Sequence, residues 1–368
     1  MSKNKTKSST IISSNEDQSL ESQKNHSKKS IKDADSIESF HPWIKPNSKC
    51  YQANGMLKLH YEILDFCDFI QLNQEEKDLR EKTYKFISET VEGKYPEYRC
   101  ILYGSFKTGL SIPDSDIDIL ILSKEGKEEQ TSKNKLLEEA LNKIHSLFDS
   151  TKAFSYLEII KAKVPIIKCT YKETNINVDI SFFRKNGFSA VKTIDKVLNS
   201  FPEIKALMLV IKYTLKQRKL NEIYKGGVSS FIIFSLIYYY ISDYRKKILF
   251  DIKNGKKESE LTLGHFLVGF FDFYGFQFNY EKLGISIRNG GFLYKRPEEE
   301  KQKHLLSIEN FQDIGQDMGK SCFKFKKVVE TFKFARDSLY YPAQSPVVSY
   351  LNGFIFPDDT LRKRAGMS

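Results

Sequence analysis

The chain has 368 residues, 40% of them hydrophobic and 13% aromatic, enough for about two ordinary domain cores. It carries 58 Lys and Arg against 47 Asp and Glu, a formal charge of +11, which suits a polyanion such as RNA but says nothing about fold. Its five cysteines include no Cys-x-x-Cys, and the nearest two, Cys50 and Cys67, are 17 positions apart. That spacing excludes the usual zinc sites and a disulfide scaffold, and it fits buried thiols in a reducing compartment.

Residues 1–40 are mostly Ser, Lys, Asn, Gln, Glu and Asp. Such a segment cannot bury enough apolar surface to offset its ordering entropy, so a disordered leader is expected. Lys28-Lys29 reads as part of a solvated tail or, alternatively, of a nuclear localisation signal. No apolar run there suits a signal peptide. The most apolar stretch, 228–241, is too short and too rich in Ser and Tyr to span a bilayer. Order is expected from Pro42-Trp43. Leu59, Ile63, Phe66 and Ile70 recur at helical spacing over 55–70, and Asn73 with Glu76 three positions later predicts a capped helix over 74–92.

The next stretch, ILYGSFKTGLSIPDSDIDILIL at 101–122, organises the rest. Two apolar, β-branched runs read as buried strands. The first stops at Gly104-Ser105, where glycine lets a phosphate approach the backbone and a helix start favours anions. The second opens on Asp116-Ile117-Asp118. Side chains two apart on a strand share a face, so two carboxylates project together and repel unless a cation lies between them. Mg²⁺ takes one or two protein carboxylates and completes its shell with water and phosphate oxygens. Alone, a Gly-Ser is a turn and an Asp-x-Asp a solvated edge. In this order, between two strands, they read as a phosphate and metal site.

A helix is expected over 129–148 and strands over 154–161 and 164–171. In 175–182, NINVDISF, alternation puts Asn177, Asp179 and Ser181 on one face and Ile176, Val178, Ile180 and Phe182 on the other, which supplies a third carboxylate. From there the pattern turns helical: 187–199, 203–219, 228–247, 262–274 and 323–340. Asn289-Gly290-Gly291 is a hairpin turn signal. The fold class is therefore α+β, one α/β unit followed by a mainly helical one. Lys212 and Lys216 share a helix face; by themselves they read as a solvated face. Gly226-Gly227 with Ser229-Ser230-Phe231 opens a helix, where amides and hydroxyls suit an anion. Phe231 reads either as core or as a stacking ring.

GSFKTGL followed by SDID resembles the nucleotidyltransferase signature of the DNA polymerase beta superfamily. Its wording, with VPIIKCTYKETNINVDISF and LVIKYTLKQRKLN, is most similar to the poly(A) polymerases of the TRAMP complex. The resemblance covers roughly 42–365. It implies a polymerase beta-like palm with a mixed sheet, a mainly helical central domain, and an active site in the cleft between them. The palm would span 72–184, the discontinuous central domain 41–71 and 185–341, and a tail 342–368. It also implies two Mg²⁺ (or Mn²⁺) ions on Asp116, Asp118 and Asp179, with ATP as substrate. The nucleotide would meet Gly104 and Ser105, Asn186 at the ribose, Lys212, Lys216 and Ser230 at the triphosphate, and Phe231 at the base.

The base-recognition loop would be 306–323. Here Gln316-Asp317 stands where TRAMP-type enzymes carry Asn-Asp or Asn-Asn and uridylyl-transferring relatives carry His first; Gln keeps the amide that suits adenine. The implied activity is addition of AMP to RNA 3′ ends in the nucleus by a monomeric core. The implied partners are a zinc-knuckle RNA-binding subunit and an RNA helicase, with no membrane. The alternatives are a uridylyltransferase, an inactive RNA- or partner-binding scaffold, and a small-molecule nucleotidyltransferase.

Overall fold

The computed structural model describes residues 40–123, 133–161, 165–182, 194, 196–254, 261–310, 313–343 and 347–367. The expected leader and most of the expected helix at 187–199 lie outside them. No helix among these residues is long and apolar enough to cross a membrane. All five cysteines are buried free thiols, as their scatter suggested.

Residues 43–355 form one compact unit. Its first half is a five-stranded mixed sheet. The strands are β1 (Tyr98–Tyr103), β2 (Ile117–Ser123), β3 (Phe154–Ile160), β4 (Ile166–Tyr171) and β5 (Ile176–Phe182), in the order β1-β2-β5-β4-β3. Only the β2–β5 pair is parallel. One face is apolar. Ile117, Ile119, Ile121, Ile167, Cys169, Val178 and Ile180 pack there with residues of two helices, α2 (Gln74–Lys94) and α4 (Lys133–Thr151). Alternation along each strand leaves the polar residues on the opposite face. A short helix, α3 (Gly104–Lys107), follows β1 directly. The α2 capping box is present: Asn73 Oδ1 accepts from Glu76 N at 2.8 Å, and Glu76 Oε2 accepts from Asn73 N at 2.8 Å.

The second half is built around α5 (Pro202–Gln217), which is buried on nearly every side. Against it pack α1 (Gly55–Ile70), α6 (Ser230–Lys253) and α7 (Leu263–Asp272), and α8 (Phe325–Tyr340) packs on α7. Leu59, Ile63, Phe66 and Ile70 form the buried stripe of α1, as their spacing required. Glu62 shares that stripe with no exposed surface. It accepts hydrogen bonds from Trp43 Nε1 (3.0 Å), Tyr350 N (2.7 Å), Leu351 N (3.1 Å) and Ser349 Oγ. One carboxylate thus ties both ends of this unit to α1.

Two small ribbons complete the half. Strands β6 (Leu283–Ser286) and β7 (Phe292–Lys295) form a hairpin. Its turn places Asn289, Gly290 and Gly291 at φ of 50°, 81° and 80°, a conformation that Asn and Gly tolerate best. The segment expected to be a loop edging a base pocket contains a second ribbon, β8 (Glu309–Asn310) with β9 (Asp313–Asp317). A parallel bridge between Ile285 and Ile308 extends the first ribbon into it, and backbone pairing of this kind is invisible to side-chain periodicity.

Residues 356–367 belong with 40–42 to a small separate unit. It contains α9 (Asp359–Arg364), capped by Asp358, and the Arg362 guanidinium lies 5.4 Å from the Phe40 ring centre.

Candidate active site

A single row of side chains crosses the polar face of the sheet. Register sets Tyr103 opposite Asp118, Asp118 opposite Asp179, Asp179 opposite Lys168, and Lys168 opposite Glu158. Residues paired across a ladder project to the same side, so the row holds three acids and one cation. Asp116 joins from just before β2. Lys168 Nζ lies 3.0 Å from Asp116 Oδ2 and 3.3 Å from Asp179 Oδ1. That Asp179 oxygen is buried, and the contact is a charge pair rather than a well-aimed hydrogen bond.

The electrostatics follow. Burial, then the charge of Asp179, pushes the Asp118 carboxyl up to about 7, while Lys212 and a hydrogen bond from the Ser105 amide pull the other way. Burial also raises Asp179, against the pull of Lys168. Lys168 is itself partly desolvated, but the negative charges of Asp179 and Asp116 win and raise it.

The connector 104–116 is held from three sides. Gly104 sits at φ +69°, and a Cβ there would lie 1.9 Å from Asp118 Oδ2. The missing side chain makes room for the protein's own carboxylate; the sequence had suggested a phosphate. Gly104→Ala is therefore expected to cost about 2 kcal/mol or more, since a side chain at positive φ is strained even without the overlap. It should also displace Asp118. Thermal melts and an activity assay check both, and an Ala variant equal to wild type in both would show that the close approach is dispensable.

From α2, Arg80 is 4% exposed and donates to the carbonyls of Pro113 and Ser115. From α5, Lys212 is 6% exposed and donates to Leu110 O and Ser115 Oγ, each at 3.2 Å. Burial pushes its ammonium down to about 8. Lys216, one turn on, pairs with Asp114. Both lysines thus face the connector that leads into Asp116, Lys212 buried against it and Lys216 on its exposed Asp114.

The segment before α6 differs from expectation. The amides of Gly226, Gly227 and Val228 donate to the carbonyls of Ile223, Glu222 and Leu220 at 2.9, 2.9 and 2.8 Å, so these groups are already committed and do not present themselves to an anion. Both glycines serve close packing: a Cβ would lie 2.3 Å from the Phe323 ring at Gly226 and 2.3 Å from Leu220 O at Gly227. Ser229 caps α6, accepting from Ile232 N. Ser230 and Phe231 begin the helix, both half-buried.

In the second ribbon, Asp317 accepts from Ile308 N (3.0 Å), Gly319 N (2.8 Å) and Ser307 Oγ (2.7 Å). Its carboxylate fastens its own loop, although the sequence set it beside the base. Gln316 Oε1 accepts from Asn310 Nδ2 at 3.0 Å. Asn186 lies outside the described residues.

A family model described as "Poly(A) RNA polymerase, mitochondrial-like, central palm domain" matches residues 59–197, and one described as "Cid1 family poly A polymerase" matches 262–313. The chain belongs to the poly(A) RNA polymerase family. It is 34% identical over 281 residues to Poly(A) RNA polymerase CID14 of Cryptococcus neoformans, an alignment covering 76% of this chain and 36% of that one. The chain thus spans about a third of that relative's length. The solved polymerase core of TRAMP, an RNA surveillance complex, superposes with a TM-score of 0.69 at 24% identity, covering 88% of this chain and 98% of that one. A Cid1 poly(U) polymerase variant bound to MgATP gives 0.66 at 17% identity, covering 81% and 98%. These structures show the polymerase beta-like nucleotidyltransferase fold for this family member.

Of the acids assigned to the site of this polymerase relative, the row joins Asp118 and Asp179 directly and Asp116 through Lys168. The set fits a divalent cation, being oxygen-only and held on adjacent strands, with one buried oxygen lacking a hydrogen bond. With the Lys168 ammonium between them, however, no three acidic, His or Cys side chains among the described residues close on one metal-sized point. The sequence reading missed Lys168, Arg80 and Ser115. Lys168 alone left a signal, a cation flanked by Ile166, Ile167 and Cys169 in a short apolar strand.

Proposed function

We propose that this chain adds AMP from ATP to RNA 3′ ends without a template. The observation that carries the reading is the in-register pairing of Asp118 with Asp179, with Asp116 beside them, in a member of the poly(A) RNA polymerase family. In the reaction the RNA 3′-oxygen bonds to the α-phosphorus, the bond from that phosphorus to the bridging oxygen breaks, and pyrophosphate leaves. Two Mg²⁺ or Mn²⁺ ions held by Asp116, Asp118 and Asp179 would activate the hydroxyl and neutralise the leaving group.

The chain's own residues supply position and charge. Asp179 takes the hydroxyl proton, its carboxyl already raised by burial. The triphosphate would lie along the connector, at Ser105 within it and at Lys212 and Lys216, which border it, and Lys216 would exchange Asp114 for phosphate. Ser230 and Phe231, at the start of α6, would meet the triphosphate and the base face. Gln316 would read the base edge, with Asp317 keeping its loop in shape.

The same reading divides the chain into a palm at 72–184 and a discontinuous central domain at 41–71 and 185–341. It gives RNA 3′ ends as substrate and a zinc-knuckle RNA-binding subunit and an RNA helicase as partners, in the nucleus.

Extension of an unstructured RNA with each NTP separately tests the activity. ATP should extend it well beyond the other three. Preference for UTP would make the chain a uridylyltransferase, and binding of RNA without extension would make it a scaffold. Base choice is expected to respond at Gln316. Its amide can match the N6 amino and N1 edge of adenine, and an unpaired buried hydrogen-bonding group costs about 1–3 kcal/mol. Gln316→His should therefore shift the ATP/UTP ratio toward UTP, by about tenfold if one such group changes partner. An unchanged ratio would place base selection elsewhere.

A further inference from the structure

We propose that Lys168 is the resident counter-ion of the metal-free site, and that a divalent ion binds only by displacing its ammonium toward Glu158. Its Nζ occupies the ground between Asp116 and Asp179, at 3.0 and 3.3 Å, which is the ground a cation shared by those carboxylates needs. Two like charges cannot occupy it together. The energy of the metal-free site points the same way. Three carboxylates this close repel one another, and the lysine is what makes their coexistence tolerable without an ion.

An exit for the ammonium is built into the sheet. Glu158 is exposed and stands directly opposite Lys168 on β3, so paired side chains are in reach across the ladder. Glu158 now accepts from the Tyr156 hydroxyl and makes no ion pair among the described residues. Lys168 is 29% exposed, so it can swing outward without crossing a packed core. Metal affinity is then the difference between two cations competing for one pair of acids, and Glu158 biases the contest toward the metal.

The measurement is Mn²⁺ binding to the nucleotide-free full chain, by electron paramagnetic resonance and calorimetry. Lys168→Met should bind Mn²⁺ about tenfold more tightly than wild type and melt lower in chelator. Lys168→Arg, which keeps the charge, should not bind more tightly. Glu158→Gln should bind Mn²⁺ a few-fold more weakly, because the displaced ammonium loses its alternative partner. Equal or weaker binding by Lys168→Met, or tighter binding by Lys168→Arg, overturns the proposal. It rests on the metal assignment above, and the two fail differently. Wild-type Mn²⁺ binding that Asp118→Asn leaves unchanged removes the assignment, whereas binding lost in Asp118→Asn but unaltered in Lys168→Met removes only the role of Lys168.

Discussion

Asp118→Asn is expected to abolish RNA extension and to raise the melting temperature of the metal-free protein. The two effects have one cause. Asp118 is placed by the Ser105 amide and by the gap at Gly104, and Asn keeps the shape and the accepting oxygen. It removes the negative charge that the transfer needs, so the rate should fall by a factor on the order of 10³ or more. It also removes a buried charge and its repulsion by Asp179, the two largest causes that push this carboxyl from 3.8 up to about 7.

The sign is fixed by linkage. A carboxyl whose folded pKa is raised binds more protons folded than unfolded, so its contribution is fully present below pH about 4 and is lost as pH rises through about 7. Metal-free wild type should therefore lose melting temperature over that window. The Asn variant should lose less, and added Mg²⁺ should restore wild type at pH 8. Melts in chelator at pH 5 and pH 8, beside an extension assay, check both halves. Wild-type extension by the variant would remove Asp118 from the chemistry. A steeper pH slope in the variant would show that the repulsion lies elsewhere.

Glu62→Ala should have the largest effect on stability of any substitution far from the site. Glu62 has no exposed surface and receives four donors: the Trp43 indole, the Ser349 hydroxyl and the amides of Tyr350 and Leu351. Burial pushes its carboxyl up, and these donors pull it back only in part. Alanine would leave the donors buried and unpaired beneath a cavity. Breaking such a charged network costs about 3–5 kcal/mol.

Glu62→Gln keeps the volume and one accepting oxygen but turns an NH₂ toward donors, so its loss should be smaller. Denaturant unfolding of both variants measures this. Protease sensitivity near 43–50 and 347–355 should rise in the alanine variant, because Glu62 is what binds those segments to α1. An alanine variant within about 1 kcal/mol of wild type would mean that Trp43, packed edge-on at 5.5 Å from Phe66, holds the N-terminal segment together with the Ser48–Asp65 and Lys45–Asp68 contacts.

What the sequence determined by itself was local. Period-two alternation put Asp116 with Asp118, and Asp179 with Asn177 and Ser181, on polar strand faces, while Ile117, Ile119, Val178 and Ile180 went to the core. Helical spacing gave the buried stripe of α1, and Asn73 with Glu76 gave the start of α2. Each of these depends on backbone geometry over a few residues, which side-chain order records directly.

Only the tertiary structure decided which strands lie side by side. The parallel pairing of β2 with β5, with Asp118 opposite Asp179, follows from packing both strands on α2 and α4, and no local pattern encodes that register. The same holds where one side chain answers another far away in the chain. Gly104 is small for the sake of Asp118, Gly226 for the ring of Phe323, and Asp317 turns back on its own loop. Lys168, a charge in a short apolar strand, and Glu62, a charge on the apolar stripe of α1, look like breaks in the pattern until folding brings up the groups that neutralise or satisfy them.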